Sequence, residues 1–347
     1  MCHCEGAQRL RQSSDAPRLP QSLRSLAMTH QTFTRNYYRH HIMNNELRIG
    51  IIGFDTSHVP AFAKLLNDHS DPHHVAGARV TLGVPTFSPD LESSYSRVEG
   101  YKQEVTEKYG VELLDSIDEM VEGVDAVLLE SVDGRRHLAE ARPVIAARKP
   151  LFVDKPFAAN YADAAELMRL AKENDCPIFS SSSLRYDANI LEIKNDEELG
   201  RVFSCDAFSP ANLDPTNPGF FWYGIHGVEI LYTFMGAGCR SVRAIHTDES
   251  DILVGAWPDG RLGTVRGTRG GSGGYGATIF GEKKIAQTQY STEVPLYSQL
   301  LKQIVPFFNG APSPIASEET LEMMAFIQAG IVSQDENREV ELSEITA

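Results

Sequence analysis

The chain has 347 residues, of which 42% are hydrophobic and 23% are charged, as in an ordinary globular protein of two domains. Its formal net charge of −15 argues against non-specific nucleic-acid binding, which requires a basic surface. No stretch approaches the roughly 20 apolar residues that a membrane-spanning helix needs, and the five scattered cysteines favour a reducing cytoplasm over a disulfide framework.

Residues 1–46 differ from the rest of the chain. They carry six arginines against three acidic residues and lack the apolar centre of a secretory signal. We predict either a disordered tail or a translation start that lies further along, at Met28 or Met43. Cys2, His3 and Cys4 have no second ligand pair nearby, so they do not predict a metal site.

From Leu47 onwards, strand-like and helical segments alternate. The first strand is predicted at Leu47–Ile52 and the first helix at Val59–Asn67. Further apolar runs typical of buried strands lie at Ala78–Val84, Val124–Ser131, Pro150–Pro156 and Cys176–Ser183, separated by helical patterns at Ser96–Gly110, Arg135–Arg148 and Tyr161–Asp175. This alternation predicts an α/β domain over residues 47–183, a Rossmann-like doubly wound parallel sheet that binds its ligand at the carboxyl ends of the strands.

The pattern changes after about Leu184. Short β-type runs with close turns follow, and then two helical stretches at Leu296–Phe308 and Glu318–Ser333. We predict a second, α+β domain over residues 184–342, built on an open and mainly antiparallel sheet. An uncovered sheet face favours a homo-oligomer.

The turn after the first strand is unusual for a nucleotide-binding protein. It reads GFDTSH (Gly53–His58) and has only one of the three glycines that close approach of a pyrophosphate requires. A carboxylate at Asp55 would repel phosphate, and Asp55, Thr56 or Ser57 could instead cap the following helix. No acidic residue follows the second strand directly to hold an adenine ribose, and no arginine adjoins Thr86 or Ser88 there. The turn therefore leaves NAD, NADP or no dinucleotide open.

Several segments together resemble the Gfo/Idh/MocA family of oxidoreductases. VDAVLLESVDGRRHLAEA (Val124–Ala141) resembles its strand, loop and helix, and VDKPFA (Val153–Ala158) its EKP motif, with Asp154 in place of Glu. SLRYD (Ser183–Asp187) resembles its junction into the second domain, and YGIHGVEILYTFMG (Tyr223–Gly236) its helix with a catalytic histidine. The resemblance runs through residues 47–342 and implies NAD(P)-dependent hydride transfer on a sugar, polyol or sugar-derived acid.

The resemblance also implies roles for particular residues. Lys155 would hold the reacting hydroxyl beside the nicotinamide, and His226 would be the general base. The implied cofactor contacts are Gly53, Phe54, Asp55, Thr56, Ser131, His137, Asp154 and Lys155, and the implied substrate contacts are Arg185, Tyr186, Trp222 and Tyr223. Trp222 stands where the family usually has an aspartate, four residues before the histidine. Glu229 could replace that carboxylate or lie exposed on the helix.

Two other functions stay open on the sequence alone. The fold could have lost dinucleotide binding and serve as a binding or regulatory protein, or Lys155, His226 and Asp55 could carry a non-redox, lyase-type reaction. The run GGSGG (Gly270–Gly274) predicts a hairpin or cavity-edge loop rather than a phosphate loop. His69, His73 and His74 predict a solvated loop, and no metal site is predicted. The expected partner is a carbohydrate-like small molecule, with no nucleic acid or membrane.

Overall fold

A six-stranded parallel sheet forms the amino-terminal half of the structure. The computed structural model describes residues 46–347, and the predictions for residues 1–45 lie outside the described part of the chain. The sheet order is β3-β2-β1-β4-β5-β6, and every neighbouring pair is parallel. The strands are β1 (Leu47–Ile52), β2 (Ala78–Val84), β3 (Glu112–Leu113), β4 (Ala126–Leu129), β5 (Leu151–Val153) and β6 (Ile178–Ser180). This order confirms the predicted doubly wound fold, in which the chain adds strands β2 and β3 on one side of β1 and strands β4 to β6 on the other.

Helices connect these strands. They are α1 (His58–Asn67), α2 (Glu92–Tyr95), α3 (Val98–Tyr109), α4 (Ile117–Gly123), α5 (Gly134–Ala146) and α6 (Tyr161–Glu173). Gly110 ends α3 in the left-handed conformation, with φ 68°, as the sequence predicts for a glycine after the last helical turn. Asn160 begins α6, because its side chain accepts a hydrogen bond from the amide of Asp163.

The second sheet has seven strands in the order β12-β11-β7-β10-β9-β8-β13. They are β7 (Val202–Pro210), β8 (Ser241–His246), β9 (Ser250–Ala256), β10 (Leu262–Thr268), β11 (Gly276–Gly281), β12 (Ile285–Gln289) and β13 (Val340–Glu341). Only β7 and β10 pair in parallel, which confirms the prediction of a mainly antiparallel sheet. Its helices are α7 (Ala188–Lys194), α8 (Ile225–Met235), α9 (Leu296–Phe308), α10 (Ser317–Glu336) and α11 (Leu342–Thr346).

The helix α8 is apolar on almost all sides because it is buried against the second sheet. Along β10, Gly263, Val265 and Gly267 point to the covered face, and α8 contacts β7, β10 and β11. On the opposite face, large apolar side chains such as Leu262 and Ile285 are exposed. Homo-oligomer formation through this face stays a prediction.

Helix α9 joins the two halves. It follows the predicted domain boundary at residue 183, yet its apolar stripe packs into the core of the first sheet beside α1. The ring of Phe307 lies 4.7 Å from that of Phe179 on β6, measured between centroids. Residues 46–347 therefore form one compact unit. Within these residues, no helix is long and apolar enough to cross a bilayer.

Candidate functional site

A cavity of about 700 Å³ lies where the strands β1, β4, β5 and β6 end. Its wall on the side of the first sheet includes residues from the loops that follow these strands: Thr56, Ser57 and His58, Val132, Lys155 and Ser183. The second half of the chain adds Trp222, Tyr223, His226, Tyr275, Tyr290 and Tyr297. Ligands of doubly wound sheets bind at this edge, so we take this cavity as the candidate site.

Position 53 requires a glycine because of its backbone conformation and its close contact with Ser131. Its φ of 83° is a conformation that side chains disfavour, and a Cβ there would lie 2.3 Å from the backbone nitrogen of Ser131. Phe54 is fully buried, with its ring against Gly83. These two predicted cofactor contacts therefore pack the turn onto the sheet and do not line the cavity.

Asp55 does not line the cavity. Its carboxylate is fully buried, accepts a hydrogen bond from the amide of Val132 (2.9 Å) and another from the hydroxyl of Ser94 (2.6 Å). Burial raises the pKa of this carboxyl group. Two expectations are corrected: Asp55 does not present its charge to a ligand in the cavity, and it does not cap α1. Ser57 is the residue that begins α1, and its side chain makes no capping hydrogen bond.

Arg97 contributes a positive charge to the cavity wall beside the amino terminus of α1. Its buried Nε has no hydrogen-bond partner among the described residues, and the hydroxyl-bearing Thr56, Ser57 and Ser93 line the same cavity. A guanidinium, hydroxyl groups and a helix amino terminus are the groups that bind phosphate. The site therefore fits an anion such as a pyrophosphate. Sequence reasoning missed Arg97 because it lies some 40 residues beyond the turn.

The hydroxyl groups after β2 already have partners within the protein. Ser88 donates to Asp133 (2.6 Å), and Thr86 lies 3.4 Å from the hydroxyl of Ser131. Asp133 also accepts hydrogen bonds from Arg135 and Asn217. Burial opposes its charge, but these hydrogen bonds outweigh burial and hold its pKa at about 2. The Ser88 hydroxyl therefore already has an acceptor within the protein. An arginine does lie near it, because Arg135 donates to the same Asp133 carboxylate.

The structure brings the two predicted catalytic residues to the same cavity. Lys155 lies at the end of β5 with its side chain 13% exposed, and His226 lies in the first turn of α8. His226 Nδ1 is 2.8 Å from the hydroxyl of Ser182. Burial, helped by the charge of Lys155, lowers the pKa of His226 well below its usual value, so this imidazole is neutral near pH 7.

Glu229 is buried, which excludes the exposed position that the sequence left open. It accepts a hydrogen bond from the amide of Ser182 (3.0 Å) and pairs with Arg185, whose guanidinium also lies 2.7 Å from Glu319. Glu229 thus supports Ser182, the residue that contacts His226. Arg185 and its neighbour Tyr186, predicted as substrate contacts, do not line the cavity, because Arg185 is enclosed by these carboxylates.

The remaining predicted residues divide between wall and core. Trp222 and Tyr223 line the cavity, as a substrate contact requires. His137 and Ser131 are fully buried instead. His137 Nε2 is 2.7 Å from the carbonyl of Ser131, whose hydroxyl donates to Glu140 (2.5 Å), so both residues hold the loop after β4 in place.

A second group of ionisable side chains lies beside Lys155. His58 Nδ1 is 3.2 Å from Glu130 Oε2 and 3.1 Å from Asp154 Oδ2. Burial opposes the charge of His58, but the two carboxylates outweigh it and raise its pKa to about 9. Burial also raises the pKa of Glu130 to about 7. Sequence reasoning missed Glu130, although it is a charged residue directly after a fully apolar strand, which is a usable signal.

Comparison with known proteins gives a family match for the part of the chain that forms the first sheet. Residues 47–182 match the Gfo/Idh/MocA family model, described as an oxidoreductase family with an NAD-binding Rossmann fold. A myo-inositol 2-dehydrogenase of Thermotoga maritima is 26% identical over 208 residues, which cover 52% of this chain and 62% of that protein. The chain thus matches about three fifths of the length of this curated relative.

Solved structures share the whole fold. A probable dehydrogenase from Thermotoga maritima superposes with a TM-score of 0.69 at 21% identity, covering 86% of this chain and 100% of that one. The scyllo-inositol dehydrogenase from Lactobacillus casei with bound NAD(H) and scyllo-inositol gives 0.68 at 15% identity, again over 86% of this chain and 100% of that one. At these identities the likeness shows the fold.

Proposed function

We propose that this chain, whose residues 47–182 match the Gfo/Idh/MocA family of oxidoreductases with an NAD-binding Rossmann fold, transfers hydride between a nicotinamide cofactor and a polyol or sugar. One observation carries this proposal. Lys155 and a neutral His226 share a cavity of about 700 Å³ with Arg97 and several aromatic side chains. A cavity of this size suits a small ligand.

The residues present fit a dinucleotide at its phosphate groups. Arg97 and the hydroxyl groups of Thr56, Ser57 and Ser93 would hold the pyrophosphate at the start of α1. Asp55 does not oppose this, because its carboxylate is buried against Ser94 and Val132. When bound, the nicotinamide supplies the hydride acceptor or donor.

His226 would accept the proton of the substrate hydroxyl at Nε2. In the tautomer in which Nδ1 carries the hydrogen and donates to Ser182, Nε2 is free to act as a base. The amide of Ser182 is held in turn by Glu229. This chain of contacts would orient the imidazole, as a carboxylate partner does in other carboxylate–histidine pairs.

Lys155 would stabilise the negative charge that develops on the substrate oxygen. Its side chain is 13% exposed and lies beside the buried Asp154, so the ammonium has little water around it. A cation in such a site stabilises charge better than one in water. Trp222 and Tyr275 would pack against the ring of a polyol or sugar and exclude water from the reacting carbon.

Two measurements test the proposal. Calorimetric titration of the full-length protein with NAD, NADH, NADP and NADPH should give micromolar binding of at least one nucleotide. A screen of inositols, sugars and sugar acids should then show nucleotide reduction at 340 nm. Absence of binding by all four nucleotides at millimolar concentration would contradict the proposal and favour a binding protein or a non-redox enzyme.

Variants assign the roles. His226→Ala should lower kcat by about 10²–10⁴-fold, the usual contribution of a general base, while nucleotide affinity is unchanged. Lys155→Ala should abolish turnover. Lys172→Ala, which removes an exposed lysine of α6, is the control and should behave as the unmodified protein. Full activity of either cavity variant would contradict the assignment.

A further inference from the structure

We propose that His58, Glu130 and Asp154 form a binding site for one divalent transition-metal cation, Zn²⁺ or Mn²⁺, at the inner wall of the cavity. The three residues come from the turn after β1 and from the ends of β4 and β5, strands that are neighbours in the sheet. One potential ligand atom from each lies within 4.8 Å of the other two. All three residues are buried.

The hydrogen bonds around the cluster leave most of its oxygens without a partner. Within the described residues, Glu130 Oε1 and both carboxylate oxygens of Asp154 are buried and accept no hydrogen bond. A single hydrogen on His58 Nδ1 serves one acceptor, and its geometry gives that bond to Glu130. Lys155 Nζ is 3.6 Å from Asp154 Oδ2, which is too long for a hydrogen bond.

A divalent cation would satisfy the whole group at once. It would displace the protons that His58 and Glu130 hold near neutral pH, because the pKa of each group is raised in the folded protein. It would then accept electron pairs from the imidazole and from both carboxylates, and it would balance their negative charge, which is out of water. One imidazole nitrogen with carboxylate oxygens suits Zn²⁺ or Mn²⁺ better than Mg²⁺, whose preferred ligands are all oxygen. Three protein ligands also leave at least one coordination position open, as in catalytic zinc sites.

The site is accessible from the cavity through His58, which is a lining residue. A cation here would act as a Lewis acid on a hydroxyl or carbonyl oxygen bound near Lys155. The proposal departs from the sequence prediction of no metal site. It does not depend on hydride transfer, because metal binding is measured without nucleotide or substrate.

The test is the metal content and affinity of the full-length protein. After treatment with EDTA and removal of the chelator, calorimetric titration with Zn²⁺ or with Mn²⁺ should show binding of one metal ion per chain. Elemental analysis should then find that this metal stays with the protein after desalting. Asp154→Asn and Glu130→Gln should each weaken that binding by more than about 100-fold, since loss of even an outer-shell partner costs 10–100-fold.

A control variant removes three other candidate ligands. Cys2→Ser with Cys4→Ser and His69→Gln eliminates the thiols near the amino terminus and an exposed imidazole whose ring lies 4.6 Å from that of His74. This variant should bind the metal as the unmodified protein does. The proposal is overturned if the unmodified protein binds neither Zn²⁺ nor Mn²⁺, if the control variant loses the binding, or if both carboxylate variants keep it. Titration of the unmodified protein tests the proposal even if a variant fails to fold.

Discussion

Substitution of Asp55 gives a direct test of how the turn after β1 is built. In the structure the Asp55 carboxylate joins three segments: the turn, the loop after β4 through the amide of Val132, and α2 through the hydroxyl of Ser94. Asp55→Ala would leave the amide and the hydroxyl buried without their acceptor. Each such group costs about 1–3 kcal/mol, and the hydroxyl can reorient, so we expect a total loss of about 3 kcal/mol in the free energy of unfolding.

The matched variant is Asp55→Asn. Its carbonyl oxygen still accepts from Val132, and its amide can donate to the oxygen of Ser94, so we expect a loss of less than about 1 kcal/mol. With an unfolding entropy of about 2.1 cal/mol/K per residue over the described body, 3 kcal/mol corresponds to a fall of about 5 °C in Tm. Differential scanning calorimetry of the three proteins measures these differences.

Nucleotide affinity separates this interpretation from one that the sequence left open, in which the Asp55 carboxylate lies near a bound phosphate. If the Asp55 carboxylate faced a bound phosphate, its removal would strengthen nucleotide binding and leave stability unchanged. The structure predicts the opposite: Asp55→Ala lowers Tm and gives no gain in affinity. An Asp55→Ala protein with an unchanged Tm and tighter nucleotide binding would refute the buried placement of this side chain.

Three further variants test other parts of the structure. Gly53→Ala should destabilise the fold by at least about 3 kcal/mol, seen as loss of soluble protein or of Tm, because its Cβ would overlap the backbone of Ser131 at a positive φ. Asp133 has a folded pKa of about 2, below its unfolded value, so it contributes roughly 2 kcal/mol of stability above about pH 4 that is lost as the pH falls towards 2. Asp133→Asn should flatten this acid branch of a stability–pH profile, and an unchanged profile would contradict the assignment. Glu229→Ala should cost about 3–5 kcal/mol in chemical denaturation, because it leaves Arg185 buried with one carboxylate fewer; a loss below 1 kcal/mol would show that Glu229 is not buried with it.

The sequence by itself determined the architecture of this protein, because the relevant signals are local. Apolar runs and helical periodicity predicted Leu47–Ile52, Ala78–Val84 and Leu296–Phe308 with the observed bounds. Gly110 marked the end of its helix for a reason confined to its own backbone. The resemblance of short segments also placed Lys155 and His226 at one site, where the structure has both of them.

Only the tertiary structure decided what the side chains of the site contact. Asp55 meets partners 39 and 77 residues away, and His58 meets Glu130 across 72 residues. The cost of burying a carboxylate depends on whether such partners are present, and the pattern of apolar residues along the chain does not reveal them. The tertiary structure therefore turned the carboxylate of Asp55 into the protein, exposed Arg97 to the cavity, and gathered three ionisable side chains at the ends of three neighbouring strands.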